Sequence, residues 1–254
     1  MSLLHLSEVT RTVIPPDQPA LTILNGVDLT VEPGDRVSIV GRSGSGKSTL
    51  LNLMGLLDQP TSGTLTFDDR PVKSYSSAER DRVRGARIGF IFQQFNLLPG
   101  RTALENVTMP LLYASGTQFW RRKAIAAEML EQVGLGHRLT SLPDRLSGGE
   151  QQRVAIARSL VRGPSLILAD EPTGALDLDT GQTVMELIDD VATRTGAALV
   201  IITHDPAIAT RARDHYRLDR GVLRRADAGV GERTAALAAD GAGASGAGAF
   251  GASA

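Results

Sequence analysis

The sequence predicts an α/β fold built on a mainly parallel sheet, and three observations carry that expectation. Short apolar stretches of strand length alternate with helical stretches along most of the 254 residues, as parallel sheets require for their crossovers. A glycine-rich loop at 41–49, Gly-Arg-Ser-Gly-Ser-Gly-Lys-Ser-Thr, stands between one such stretch and a helix. Another apolar stretch, 166–169, runs into two carboxylates, Asp170 and Glu171, at the kind of strand end where α/β sheets receive ligands.

Taken in order, residues 2–40 read as short strands, with Leu24, Val27, Leu29 and Val31 partly alternating. Three prolines make 12–20 a loop, Glu32-Pro33-Gly34-Asp35 marks a turn, and 36–40 is a short strand. The glycine-rich loop is followed by an apolar helix at 49–57, then by strands at 64–67 and 88–92. From about 95 to 160 the pattern is helical. There Trp120, Ala124, Ala127, Leu130 and Val133 follow the three/four spacing of one helix face, and Gly134 and Gly136 can end that helix. Strands return at 166–169 and 199–203, and 216–224 reads as a closing hairpin. From about Ala226 the chain is mostly Ala, Gly and Ser, with too little bulky apolar surface to offset its ordering entropy, so a disordered tail is expected at 226–254.

Apolar residues make up 42% and charged residues 22%, an ordinary soluble composition, and the length provides ample material for a core. A formal net charge of −1 gives no basic field for nucleic acid. The lack of cysteine excludes a disulfide framework and a thiolate metal site, and fits a reducing compartment. No apolar run approaches the ~20 residues that span a bilayer. The start, MSLLHLSEVTRT, does not read as a secretory signal, so any link to a membrane is expected to run through another protein.

Residues 41–48 fit G-x-x-x-x-G-K-[ST], in which glycines let backbone N–H groups curl round phosphate oxygens at a helix N-terminus. Lys47 can reach the outer phosphates and the Ser48 hydroxyl can hold Mg²⁺. A plain glycine turn is the alternative, but average residue usage produces this pattern by chance in roughly 1% of chains this long. Asp170 can hold Mg²⁺ through water, and Glu171 can polarise an attacking water. Read alone, the two acids could equally cap a helix before Pro172; the phosphate loop tips the balance towards catalysis. Ser147 and Glu150 make a capping box, while Gly148 and Gly149 leave the same helix N-terminus bare for an anion, and the two roles are compatible. Gln93 ends one strand, where a neutral amide can sense Mg²⁺ or water, although by itself it reads as an ordinary polar residue. His204 ends another strand and can reach a terminal phosphate; Asp205-Pro206 beside it is an N-cap with proline at N1.

Together these stretches resemble the nucleotide-binding subunit of ATP-binding cassette (ABC) transporters, over nearly the whole chain up to about Arg225. In family order stand GRSGSGKST as Walker A, Gln93 as the Q-loop glutamine, LSGGEQQR as the signature, LILADE as Walker B, Ala175-Leu176-Asp177 as the D-loop and His204 as the switch histidine. IGFIFQQFNLLPGRTALENV, LILADEPTGALD and ITHDPAIATRARDHYRL are similar to the lipoprotein-release and macrolide-efflux branch, which includes a cell-division ATPase. The resemblance implies a P-loop NTPase core at 1–92 and 162–225, with an antiparallel β subdomain at its start, and a helical subdomain at 93–161. It implies ATP and Mg²⁺ as cofactors. Gly41, Arg42, Ser43, Gly44, Ser45, Gly46, Lys47, Ser48 and Thr49 would bind ATP in one subunit, the signature residues Ser147, Gly148 and Gly149 would close over it from another, and Asp177 and Val13 would also contact the nucleotide. Glu171, His204 and Gln93 would be catalytic, with Ser48, Gln93 and Asp170 at the metal.

The implied partners are a second ATP-binding subunit, either an identical copy in a homodimer or a homologue, and an integral membrane permease. These place the chain at the cytoplasmic face of the inner membrane. The work done would be export or membrane extraction of an amphiphile, or alternatively transmission of force to an enzyme outside the cell. In one place the chain departs from the family: Val13 stands where an aromatic usually stacks on adenine, which leaves the choice between ATP and GTP open.

Overall fold

Two sheets with a helix between them organise the chain, as seen in a computed structural model that describes residues 2–16 and 19–226. The expected Gly/Ala-rich tail lies outside the described residues, apart from Ala226. The first strands are β1 (Leu4–Val13), β2 (Leu21–Val31) and β3 (Arg36–Val40), followed by α1 (Lys47–Met54), β4 (Ser62–Phe67) and β5 (Arg70–Pro71). Helix α2 (Ser77–Arg87) leads into β6 (Ile88–Phe92). The helical stretch holds α3 (Ala103–Thr108), α4 (Gly116–Trp120), α5 (Arg122–Gln132) and α6 (Gly148–Leu160). The chain continues through β7 (Leu166–Asp170), α7 (Leu178–Thr195), β8 (Ala198–Thr203), α8 (Pro206–Ala209), β9 (Asp214–Asp219) and β10 (Val222–Arg225).

One sheet is antiparallel, in the order β2-β1-β4-β5. The other runs β10-β9-β3-β8-β7-β6 and is parallel except for β10. This is the mainly parallel core with an N-terminal antiparallel β subdomain that the sequence led us to expect.

Side-chain alternation explains how the layers stack. On β7, Leu166 and Leu168 face a core shared with Leu50, Leu53 and Met54 of α1 and with Leu4, Leu6 and Val27 of the antiparallel sheet. Ile167 and Ala169 face the opposite side, where Ile156 and Leu160 of α6 and Val184 and Ile188 of α7 cover them. Covered on both faces, β7 and β8 read as continuous apolar runs rather than alternating ones. The buried members of a third core come from the helical stretch, Val107, Leu111, Ala126, Leu130, Val133 and Val154 among them, and Leu187 of α7 packs against it.

Two sequence expectations need correction. The helix expected at 49–57 spans Lys47–Met54, because Gly46, at φ 105, turns the loop directly into the helix. It stops before Gly55, where a Cβ would stand 2.3 Å from the Phe90 ring. The expected helix face through Trp120, Ala124 and Ala127 is also wrong. The helix breaks at Arg121, Trp120 is 79% exposed, and the buried positions are Ala126, Leu130 and Val133. Leu130 and Val133 sit on both candidate faces, so small alanines decided the phase, and alanine gives a weak periodic signal.

Candidate functional site

Parallel register brings four strand ends to one edge of the sheet. Val40 pairs with Thr203, Ile202 with Asp170, and Asp170 with Phe92. The residues that follow are Gly41, His204, Glu171 and Gln93, so the topology itself gathers four of the sequence-predicted positions.

The phosphate loop is shaped by its glycines. Gly44 and Gly46 take positive φ values of 76° and 105°. A Cβ on Gly41 would stand 2.6 Å from the Leu218 carbonyl oxygen, and one on Gly46 3.0 Å from Leu24 Cδ2. The Lys47 ammonium donates to the carbonyls of Gly41 at 2.7 Å and Arg42 at 3.0 Å. Two of its three N–H donors thus brace the loop, leaving one for a phosphate. Ser43 and Ser48 are exposed, Ser45 is buried, and Thr49 is half-buried in the first turn of α1.

Glu171 sits at φ 46, a left-handed backbone that side chains other than glycine rarely adopt. Its own N–H donates to the Ile202 carbonyl at 2.9 Å. Three donors hold its carboxylate: the Thr203 hydroxyl to Oε2 at 3.0 Å, the His204 backbone N–H to Oε1 at 2.9 Å, and His204 Nδ1 to Oε1 at 2.6 Å. Glu171 is largely covered, whereas the His204 side chain is 74% exposed. With Nδ1 engaged, Nε2 is the ring nitrogen left for another partner. Burial pushes the Asp170 carboxyl upward, adjacent Glu171 adds to this, and Lys47 opposes it.

Gln93 is exposed and lies against Gly174, where a Cβ would meet its amide nitrogen at 2.8 Å. Ser147 caps α6 in the expected capping box: its hydroxyl accepts from the Glu150 N–H, and the Ser147 N–H donates back to the Glu150 carboxylate. That N–H, with Arg138 adding to it, holds the Glu150 carboxyl below its ordinary value. A Cβ on Gly148 would meet Leu176 and Phe95, and one on Gly149 would meet Thr180, none of them in the phosphate loop. Asp177 caps α7 through the Thr180 N–H. Val13 ends β1 opposite Leu21, while Ile23 and Leu24 of the neighbouring strand are what touch Gly46.

The donor set fits Mg²⁺ shared with a substrate. Among the described residues no group of three or more His, Cys, Asp or Glu side chains is placed to hold a metal. One carboxylate with a hydroxyl and an amide, completed by phosphates and water, is the way this reluctantly dehydrated cation is usually bound.

Sequence reasoning missed two polar side chains here. Thr203 is fully buried and steers Glu171. Gln152 is fully buried on the inner face of α6, donating to the Pro172 carbonyl at 2.6 Å. A signal existed for each: Thr203 closes an otherwise apolar strand, and Gln152 follows Gly149 and precedes Ile156 at the three/four spacing of the buried helix face.

Comparison with known proteins follows the same lines. The model of the ABC transporter family matches residues 24–174. The lipoprotein-releasing system ATP-binding protein LolD of Shewanella frigidimarina is 48% identical over 201 residues, which cover 79% of this chain and 84% of LolD. The macrolide export ATP-binding/permease protein MacB of Marinobacter nauticus is 47% identical over 221 residues, 87% of this chain, but the chain spans only 34% of that protein's length. Among solved structures, the dimeric post-hydrolysis state of the ATP-binding cassette MJ0796 bound to ADP and Pi superposes with a TM-score of 0.80 at 40% identity. It covers 88% of this chain and 97% of its own.

Proposed function

The chain belongs to the ABC transporter family, and on that footing we propose that it binds and hydrolyses ATP at a site completed by a second copy, driving a separate membrane permease. The observation that carries the proposal is the gathering of the phosphate loop, Gln93, Glu171 and His204 at one sheet edge, with Ser147–Gly149 of the same chain meeting other neighbours. A monomer then holds one half of each of two sites. Two chains facing each other complete both.

In this mechanism the loop N–H groups from Gly41 to Thr49 and the free donor of Lys47 hold the phosphates. Ser48, Asp170 and Gln93 would hold Mg²⁺, which when bound would supply positive charge beside the phosphates. Glu171 takes the proton of the attacking water as it adds to the γ-phosphorus and the bond to the β-phosphate oxygen breaks, giving ADP and phosphate. Thr203 and the His204 backbone fix the carboxylate for that task. Ser147, Gly148, Gly149 and Asp177 act on the nucleotide of the facing copy. Val13 supplies apolar packing for the base in place of a stacked ring.

Residues 1–92 and 162–225 serve as the catalytic core, and 93–161 as the arm that passes motion to the permease. A core whose buried members all lie in that arm, with Leu187 of α7 packed against it, supports the division. Among the described residues no helix is long and apolar enough to cross a membrane; the proposed coupling to a permease is what puts the subunit at the cytoplasmic face. The names of the two relatives, for lipoprotein release and macrolide export, favour outward movement or membrane extraction of an amphiphile. The test is affinity purification from detergent-solubilised membranes. Recovery of an integral membrane protein in fixed ratio is expected, and its consistent absence would refute the permease-coupled reading.

A further inference from the structure

Gln152 is a buried amide with an incomplete set of partners. It has no exposed surface, its Nε2 donates to the Pro172 carbonyl at 2.6 Å and reaches the Phe92 carbonyl at 3.5 Å, and its Oε1 meets no donor among the described residues. The orientation is fixed by chemistry, since carbonyls only accept and the nitrogen must face them. The two carbonyls are not arbitrary ones. Phe92 immediately precedes Gln93, and Pro172 immediately follows Glu171. The amide that holds them rides on α6, one turn below the bare Gly148-Gly149 start of that helix.

What singles this side chain out is where its contacts end, on the backbone beside Gln93 and beside Glu171. We propose that Gln152 is a positioning residue: through it, the helix whose N-terminus closes on the facing copy's nucleotide sets the placement of Gln93 and Glu171 in its own site. The inference rests on the shared-site reading above. Helix α6 moves as a rigid rod, so a shift at Gly148 carries Gln152 with it. The short bond to Pro172 is under immediate pull, and the contact to Phe92 stands at the limit where a small displacement makes or breaks it. Each copy thereby registers in its own catalytic groups whether its signature has engaged.

The experiment compares wild type with Gln152→Met and Gln152→Leu, which keep an apolar volume and remove the donor, and with Gln152→His, which returns one N–H. Phosphate release gives kcat and KM, calorimetry gives ATP affinity, and thermal unfolding reports the fold. A misplacement of about 1 Å costs on the order of 100-fold in rate, so kcat in either folded apolar variant is expected to fall ~10–100-fold, with ATP affinity kept within about twofold. The histidine variant is expected to recover part of the loss. An apolar variant that folds and turns over at the wild-type rate overturns the proposal, as does a loss of ATP affinity that matches the loss of kcat. Failure of the shared-site reading shows separately, as a wild-type chain that does not hydrolyse ATP or a Glu171→Gln chain that still does.

Discussion

The two glycines of the signature face different surroundings, and this separates packing from function. A Cβ at Gly149 would lie 2.4 Å from Thr180 Cγ2, far inside the ~3.5–4.0 Å of carbon–carbon contact. Thr180 stands in the first turn of α7, and a β-branched side chain in a helix has little rotamer freedom to yield. Gly149→Ala is therefore an overpacking change worth about 1–3 kcal/mol. At about 2–4 °C per kcal/mol for a chain of this size, Tm falls by roughly 2–12 °C. At Gly148 a Cβ would meet Leu176 at 3.6 Å and Phe95 at 3.8 Å, which is ordinary contact. Alanine there gains up to about 1 kcal/mol of helix propensity, so Tm holds or rises. If the bare helix end receives the facing copy's phosphate, both variants nevertheless lose ATP hydrolysis. The double variant Gly149→Ala/Thr180→Ala removes the clashing methyl and is expected to regain Tm but not turnover. Thermal unfolding and phosphate release on the same samples decide the matter. Full turnover in the double variant, together with wild-type turnover in Gly148→Ala, would show that the glycines serve packing alone.

Further expectations concern Thr203 and the capping glutamates. Thr203 accepts from the Asp205 N–H and donates to Glu171, and hydrogen bonds to charged groups are worth about 1.5–3 kcal/mol. Thr203→Val should therefore lower kcat by about 10–100-fold while ATP binding persists, and Thr203→Ser should restore it; a serine variant as slow as valine would point to lost packing instead. Glu79, Glu105 and Glu150 each close a capping box, and each is held below its ordinary value chiefly by the backbone N–H of its N-cap residue. The unfolded chain binds their protons more readily, so their stabilisation is present above the unfolded value of 4.5 and is lost as pH falls through the lowered folded values. Replacing all three by glutamine, which can still close the box, should flatten the loss of stability below pH 4.5, measured by urea unfolding at several pH values. Parallel pH dependences in variant and wild type would contradict this.

Local chemistry made much of this molecule legible in advance. The strands 36–40 and 88–92 coincide with β3 and β6, because the Glu32–Asp35 turn marks the start of one and the change from the charged end of α2 to an apolar run marks the start of the other. The Ser147–Glu150 box and the Asp205-Pro206 cap formed as expected, since capping depends on residues within one turn. The phase of the helix through Leu130 was not legible, because alanines fit either face. Nor were the partners of Glu171: the Thr203 and His204 contacts span 32 and 33 residues and exist only because β7 and β8 lie side by side. Gln152 was hidden for a similar reason, its carbonyl partners being 20 and 60 residues away.

The shared site with Glu171 as base is tested most directly by the mass of Glu171→Gln in solution, measured by gel filtration with light scattering. The variant keeps the shape of the side chain and the phosphate loop but loses the carboxylate that takes the proton. It is expected to run as a dimer in ATP and a monomer in ADP, with phosphate release abolished. A monomer under both conditions, with turnover intact, would contradict the account.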